Sequence, residues 1–166
     1  MITKDDLLTS MTRECDISIH LHSKLTPQAA DYRASPDQRS TAELLRYLSI
    51  CGIAGSTSMI KGDWKLFTAF RERSAALAVA DFPAAMARQK DELVALFASI
   101  TTEQFATQQA PMPGGSVTLP LGVALLNGPL KWLAGYKLEL FVYAKASGSH
   151  DINTSNAWRG MDMPKK

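Results

Sequence analysis

The fold is decided by residues 40–60, which read STAELLRYLSICGIAGSTSMI. This stretch opens with a capping box, because the Ser40 hydroxyl can accept a hydrogen bond from the Glu43 amide while the Glu43 carboxylate reaches back. Its inward positions recur every three or four residues, the period of one helix face, and they are Leu44, Tyr47, Leu48, Cys51, Gly55 and Met59. Small residues at Gly52 and Gly55 suit a close approach by another helix. The stretch therefore predicts a long helix with a closely packed neighbour.

Two further helices are predicted on either side of it. Apolar steps of three and four indicate a first helix over residues 5–25, and its inward positions are Leu8, Met11, Cys15, Ile19 and His22. Residues 28–38 are expected to form an irregular linker. After the second helix, residues 64–79 are predicted to be helical, with Phe67 and Phe70 facing inward.

Proline and glycine set the limits of the later segments. An acidic cap at Asp81 and a proline in the first turn begin a helix that runs to about residue 100, and residues 102–105 form a short extra turn. Residues 108–116 are predicted to be a loop, and the strand signal over 117–119 is too short to count. The last helix should run from about residue 118 to 148, with a kink at Pro129. The polar tail should lie across the bundle with Trp158 as its anchor.

These elements predict one all-α domain over residues 1–166, an up-down four-helix bundle with a short extra helix between helices 2 and 3 and a polar tail from about residue 149. The apolar fraction of 46% and charged fraction of 20% are typical of globular proteins. A net charge of +2 gives no case for nucleic acid, and the terminal Lys165-Lys166 pair should be solvated. No apolar run approaches the roughly 18 residues that span a bilayer, so no membrane partner is expected.

The two cysteines, Cys15 and Cys51, occupy apolar helical positions without CxxC spacing. They are predicted to be reduced core residues. Because the N-terminus also does not read as a secretory signal, we expect a cytoplasmic protein.

Three segments carry a resemblance to a known family. Residues 39–48, RSTAELLRYL, resemble the RS-x-x-E-L-L-x-H-L segment of the DinB/YfiT-like bundle proteins. Residues 132–140, WLAGYKLEL, resemble that family's H-x-x-x-H-R-x-Q-L segment, and the tail over 153–160 is similar to tails of some members. The resemblance implies a four-helix bundle of the DinB-like type.

Many members of this family bind a divalent metal through three histidines, and the resemblance would imply metal-dependent transfer to low-molecular-weight thiols. The matching positions in this chain are Tyr47, Trp132 and Tyr136. An indole only donates, and a phenol ligates a metal readily only when it is deprotonated. We therefore expect a degenerate metal site, with no bound metal and no other cofactor.

Glu139 and Tyr143 follow Trp132 and Tyr136 at helical spacing on the same predicted helix. A carboxylate on an apolar stripe needs a hydrogen-bond partner, which Tyr47 or Tyr136 could supply. One interpretation is a small polar pocket where the metal site would be. The other, which we favour, is a plug of aromatic rings with Glu139 reaching solvent.

The three histidines do not form an evident metal site. His20 and His22 are two residues apart on a helix and point in different directions. His22 is an additional pocket candidate, although its simplest interpretation is a histidine at the core edge with one hydrogen bond. His150 is most simply a solvated tail residue.

We expect a metal-free DinB-like protein that binds a small molecule or has a stress-associated accessory role, and whether it is an enzyme stays open. One alternative is a thiol-dependent transferase or hydrolase with a displaced metal site, in which His22 is the first candidate ligand. Another is a structural homo-oligomer, since exposed aromatic residues over 64–70 would favour a homodimer.

Overall fold

The computed structural model describes residues 2–164, so the Lys165-Lys166 pair lies outside the described residues. In chain order the elements are α1 (Lys4–His22), a 3-10 turn (Pro27–Asp31), α2 (Thr41–Lys61), α3 (Leu66–Ser74), a second 3-10 turn (Val79–Asp81), α4 (Phe82–Ala98), α5 (Thr102–Thr107), β1 (Gln109–Pro111), β2 (Thr118–Pro120), α6 (Leu121–Leu125), a π-helical turn (Leu126–Leu130), α7 (Lys131–Ala146) and α8 (Thr154–Arg159). None of the helices in this described part combines the length and hydrophobicity needed to cross a membrane.

Four long helical elements form a ring in which α1 and α2 each contact both α4 and α7. Their relative directions follow from pairs of residues that lie close together. Between α1 and α4 these pairs are Lys4 with Ile100 and Asp16 with Lys90. Between α1 and α7 and their following residues they are Glu14 with Lys137 and Thr26 with Ser147, and between α2 and the last long helix they are Gly52 with Leu133 and Met59 with Gly128. Helix α1 is therefore antiparallel to α4 and parallel to α7, while α2 is antiparallel to α7. The predicted all-α four-helix bundle with a short extra helix is confirmed.

The short helix α3 explains the order of directions along the chain. It packs along α2, and the Arg46 Nε of α2 donates to the Leu77 carbonyl just beyond it at 3.1 Å. The chain thus returns to the end of the bundle at which α2 began. As a result α2 and α4 run in the same direction, and the four long helices run up, down, down and up. The predicted up-down order, in which each helix reverses the one before it, is corrected in this respect because α3 returns the chain before α4 begins.

The capping box that opens α2 forms as predicted. The Ser40 amide donates to the Glu43 carboxylate at 2.7 Å, and the Glu43 amide donates to the Ser40 hydroxyl at 3.3 Å. At its other end α2 stops at Gly62, whose φ of 68° is left-handed.

The buried face of α1 is rotated from the predicted one. Met11 and Cys15 are buried as expected, but Leu8, Ile19 and His22 are only half-buried. The other fully buried positions are Leu7, Ile17, Ser18 and Leu21. Because α1 contacts both α4 and α7, its buried surface is broader than one narrow stripe.

The prediction of an irregular loop over residues 108–116 is partly wrong. The prediction that residues 117–119 form no strand is also partly wrong. Strands β1 and β2 pair antiparallel, with Ala110 opposite Leu119. Contacts from elsewhere in the chain hold this hairpin: the Trp64 indole donates to the Pro111 carbonyl at 3.1 Å, and Gln108 donates to the Ile60 carbonyl at 2.8 Å. Tertiary contacts therefore decide the conformation of a segment whose own strand propensity is weak.

The last long helix begins three residues later than predicted and contains a π-helical turn at Pro129. Proline has no amide proton and crowds the preceding turn, which a wider turn accommodates. The neighbouring Gly128 also leaves room for Met59 of α2, whose Cε would lie 2.5 Å from an added Cβ.

The tail packs against α1 and α7 through α8. Its buried residues are Ser149, Ile152, Asn156 and Ala157, whereas Trp158 is 54% exposed. The prediction that Trp158 anchors the tail is therefore wrong in detail. Its indole instead covers the Lys137 ammonium, at 4.5 Å from the ring centroid.

Helix α3 is shorter than the predicted 64–79 stretch. The aromatic side chains around it, Trp64, Phe67 and Phe70, are half-buried, and Trp64 and Phe70 pack against the core. The argument for a homodimer through exposed aromatic residues in this region loses its basis, and the homodimer stays a prediction.

Candidate functional site

Helices α2 and α7 bring Tyr47 and Tyr136 into direct contact. Their ring centroids are 4.9 Å apart and their planes meet at 71°, an edge-to-face arrangement that aromatic pairs favour. The glycines of α2 make this possible because α7 packs directly on Gly52 and Gly55. Two of the three positions that match the family's histidines therefore meet.

The third position, Trp132 of α7, belongs to the same group of rings, and its neighbours are Phe67 of α3 and Trp64, which precedes α3. Its indole lies 6.3 Å from Phe67 and 6.3 Å from Trp64, measured between ring centroids. Phe67 in turn lies 6.2 Å from Tyr47. We call Tyr47, Trp64, Phe67, Trp132 and Tyr136 the aromatic cluster. It fills the space between α2, α3 and α7.

One guanidinium covers the aromatic cluster at the start of α2. The Arg39 Cζ lies 4.5 Å from the centroid of the Tyr47 ring and 5.4 Å from that of Tyr136. A cation over ring faces is held by the ring quadrupole. The Tyr143 hydroxyl also donates to the Arg39 carbonyl at 3.2 Å, which fixes the backbone at this position.

A cleft of about 470 Å³ lies beside the cluster, between α2 and α3. Its lining residues come from the start of α2 and from α3, and they are Arg39, Glu43, Arg46, Tyr47, Ile50, Phe67, Arg71, Ser74 and Ala75. Three of them carry a positive charge and one carries a negative charge. Of the predicted site residues only Tyr47 lines this cleft. Tyr136 packs against the Tyr47 ring but does not line the cleft.

The charged groups of the cleft are held in different ways. Arg46 is oriented by the bond from its Nε to the Leu77 carbonyl. The Glu43 carboxylate binds the Ser40 amide and lies 3.5 Å from the Arg33 guanidinium. The bond from Ser40 is the main reason that the pKa of Glu43 is below its usual value.

The Tyr47 phenol is neutral in this setting. Burial raises its pKa above the ordinary value of 10.0, although Arg39 and Arg71 act in the opposite direction. A neutral phenol can donate a hydrogen bond to a ligand, but it is a poor metal ligand.

Glu139 and Tyr143 lie apart from the cleft. The Tyr143 ring packs edge-on against Tyr32, with centroids 5.2 Å apart. Burial raises the pKa of Tyr143, and the nearby Glu139 carboxylate adds to this increase. Glu139 is half-buried near Tyr143, whose hydroxyl donates to the Arg39 carbonyl. Among the described residues the Glu139 carboxylate forms no hydrogen bond with Tyr47 or Tyr136, the partners suggested by the sequence.

His22 lies outside the cleft as well. Its Nε2 is 2.7 Å from the Val79 carbonyl, and its ring packs against Phe82 with centroids 5.3 Å apart. Burial lowers the pKa of this imidazole. These contacts are those of a histidine at the core edge.

Among residues 2–164, no group of three or more histidine, cysteine, aspartate or glutamate side chains is placed to hold a metal ion. Cys15 and Cys51 are free and buried, as predicted. Burial raises the pKa of Cys15 to about 12 and also raises that of Cys51. Neither thiol is therefore activated as a nucleophile.

The sequence singles out the tyrosines but not the arginines around them. Arg46 lies in α2, but Arg39 precedes the cap at Ser40, so helix periodicity alone does not place the two guanidiniums together. Arg71 and the participation of Phe67 in the site depend on how α3 folds back on α2, which no local pattern shows.

The arrangement of helices has a counterpart among solved structures. The crystal structure of YjoA, a DinB-like protein from Bacillus subtilis, matches with a TM-score of 0.67 and 15% sequence identity, over 86% of this chain and 92% of that chain. The DinB-like fold implied by the sequence resemblance is thereby confirmed. No family model matches the sequence, and a search of curated proteins finds no match.

Proposed function

We propose that this chain of DinB-like fold binds a small molecule, without a metal ion, in the cleft between α2 and α3. The observation that carries the proposal is the cleft itself, whose volume of about 470 Å³ lies within the range of small-molecule sites. Its lining combines the rings of Tyr47 and Phe67 with four charged side chains, so it offers a ligand both apolar contact and charge.

The cleft is built on supported side chains. The Tyr47 ring packs edge-to-face against Tyr136, and the Arg39 guanidinium lies over its face. Phe67 is held within the aromatic cluster. A pocket that is already formed spends less ordering entropy when a ligand enters.

Binding fits the lining better than catalysis does. The lining residues include no thiol and no imidazole, and the Glu43 carboxylate is occupied by its cap and by Arg33. His22, which a displaced metal site would use first, contacts Val79 and Phe82 instead. The transferase alternative, a stress-associated role and a cytoplasmic location stay predictions.

The test is a fragment screen by NMR that includes neutral, anionic and cationic small molecules. We expect the backbone amide signals of Tyr47, Phe67 and Ala75 to shift together when a fragment binds. The variant Ala75→Trp should block the cleft and abolish these shifts. Its matched control is Ala76→Trp, because Ala76 is also exposed and next in the chain but does not line the cleft.

Two results would contradict the proposal. One is a set of fragment shifts that map to another part of the bundle and persist in Ala75→Trp. The other is a screen in which no fragment of any charge perturbs the cleft, while both variants keep the spectrum of a folded protein.

A further inference from the structure

We infer that the ligand of this cleft is a small organic oxyanion, a carboxylate or phosphate joined to a flat apolar group. This inference rests on the proposed function and names its ligand class. Its basis is the juxtaposition of three guanidinium groups with two aromatic rings in one cleft.

The three guanidiniums come from separate parts of the chain. Arg39 precedes α2, Arg46 lies in its second turn, and Arg71 reaches the cleft from α3. Within residues 2–164, the ion pairs that form do not include any of these three groups. Like charges gathered in one concave site raise the local positive potential, which attracts an anion.

The one carboxylate in the lining does not cancel this charge. Glu43 is bound to the Ser40 amide at 2.7 Å and is 3.5 Å from Arg33, a guanidinium outside the lining. Glu43 and Arg33 offset one another, so Arg39, Arg46 and Arg71 remain as the net charge of the cleft.

Two of the guanidiniums are already oriented. Arg39 stacks over the Tyr47 and Tyr136 rings, and Arg46 is tied through its Nε to Leu77. In Arg46 this bond leaves the two terminal nitrogens as donors. A planar fork of donors matches the oxygens of a carboxylate or phosphate, which favours an oxyanion over a simple halide.

The apolar side chains of the cleft indicate which chemical group carries the carboxylate or phosphate of the ligand. The rings of Tyr47 and Phe67 lie 6.2 Å apart, and Ile50 and Ala75 extend the apolar surface. Ser74 adds little polarity because its hydroxyl donates to the Arg71 carbonyl at 3.1 Å. The neutral Tyr47 hydroxyl can donate to an oxygen of the ligand at the boundary between these two regions.

The test uses isothermal titration of the full chain with benzoate and phenyl phosphate, and with benzamide as the uncharged probe of the same shape. The variant is Arg71→Met, which removes the charge but keeps most of the length of an exposed side chain. Its control is Arg88→Met, an exposed arginine of α4 that does not line the cleft. Circular dichroism and thermal melts verify that each variant folds.

We expect at least one oxyanion to bind, and its affinity to fall by about tenfold in Arg71→Met, the loss typical of one charge-assisted contact. Affinity should be unchanged in Arg88→Met and should weaken with added salt. Benzamide should bind more weakly than benzoate.

Three results would contradict these expectations, and each points to a different error. If benzamide binds as well as benzoate and Arg71→Met changes neither, the ligand class is wrong but binding in the cleft stands. If neither oxyanion binds while neutral fragments still shift the cleft amides, the inference fails alone. If no probe of any charge reaches the cleft, the proposed function fails with it.

Discussion

Gly55 of α2 lies directly against the indole of Trp132 on α7. A Cβ built on Gly55 would be 2.4 Å from the Cζ3 of Trp132 and 3.0 Å from the Cγ of Pro129. The indole cannot turn away freely because Phe67 and Trp64 pack against it. The absence of a side chain at residue 55 therefore sets how closely α7 approaches α2 beside the aromatic cluster.

We predict that Gly55→Ala destabilises the protein, although alanine is the better helix former. The helix propensity gain is roughly 1 kcal/mol, whereas overpacking against a rigid ring costs about 1–3 kcal/mol and disturbs the π-helical turn. Urea denaturation should show a lower free energy of unfolding.

Gly135 provides the matched control for this prediction. It lies in α7, and an added Cβ there would meet no heavy atom within 4 Å. Gly135→Ala should raise the free energy of unfolding by up to roughly 1 kcal/mol. Equal gains from both substitutions would show that the contact between residue 55 and Trp132 is not tight.

The same pair of residues shows what the sequence could indicate. The glycine spacing of α2 correctly predicts a close helix neighbour, and the matched positions correctly indicate that Tyr47 and Tyr136 approach one another. The sequence does not show that Trp132 would rest on Gly55, because the two are far apart in the chain and meet only after α7 has docked. The cleft is missed for a similar reason: Arg71 joins Arg39 only because α3 folds back along α2.

Glu14 and Lys137 form an ion pair between α1 and α7, and the second prediction concerns them. Their Oε2 and Nζ atoms are 2.8 Å apart, and the side chain of Lys137 is completely buried. Neither atom has a further hydrogen-bond partner among the described residues. We predict that Glu14→Gln lowers the free energy of unfolding by about 3–5 kcal/mol, because the buried ammonium loses its counter-charge and keeps only the Trp158 ring beside it.

Chemical denaturation of a double variant separates this explanation from a loss of packing. Glu14→Leu combined with Lys137→Met removes both charges and fills a similar volume, so most of the lost stability should return. If the double variant is less stable than Glu14→Gln, the shape of the two side chains matters more than their charge.

Gln89 of α4 is a buried amide that bonds to the backbone of α2, and the third prediction concerns it. Its Oε1 accepts from the amides of Gly52 and Ile53 at 2.9 and 3.1 Å, and its Nε2 donates to the Leu48 carbonyl at 3.0 Å. We predict that Gln89→Leu costs about 1–3 kcal/mol, since those backbone groups lose a partner away from water.

Gln89→Glu gives a sharper comparison at the same position. A carboxylate keeps the acceptor for the two amides but loses the donor to Leu48, and it places a charge in the core. At neutral pH the free energy of unfolding of Gln89→Glu in urea should be lower than that of Gln89→Leu. At acid pH, where the carboxylate is protonated, the difference between the two variants should shrink. Identical stability of both variants at every pH would contradict this role of the amide.

The fourth prediction concerns the pH dependence that His22 confers. Burial lowers the pKa of the folded-state imidazole below its ordinary value of 6.5, so protonation favours the unfolded chain. The contribution of His22 to stability is complete above about pH 6.5 and is lost as the pH falls through the lower folded-state pKa. Thermal melts across this window should show the melting temperature falling with pH.

His22→Gln keeps a donor for the Val79 carbonyl but removes the titration, so its melting temperature should fall less steeply over the same window. The pKa of His20 is also lowered, mainly by burial, so some pH dependence should remain. His150→Gln, a change of an exposed tail residue, should match the wild type. A pH profile of His22→Gln identical to the wild type would rule out this role.

The last prediction is that the protein, purified without a tag or chelator, contains no stoichiometric metal and shows no large melting shift with added zinc or nickel. The reason is chemical: the positions of the family's three histidines hold Tyr47, Trp132 and Tyr136, and the Tyr47 phenol stays protonated because burial raises its pKa. Elemental analysis followed by thermal melts checks both statements. A stoichiometric metal would overturn the metal-free proposal, and His22→Gln would then show whether that imidazole is a ligand. An unchanged metal content in His22→Gln would direct the search to the Asp162 and His20 pair, which lies 3.6 Å apart beside the tail.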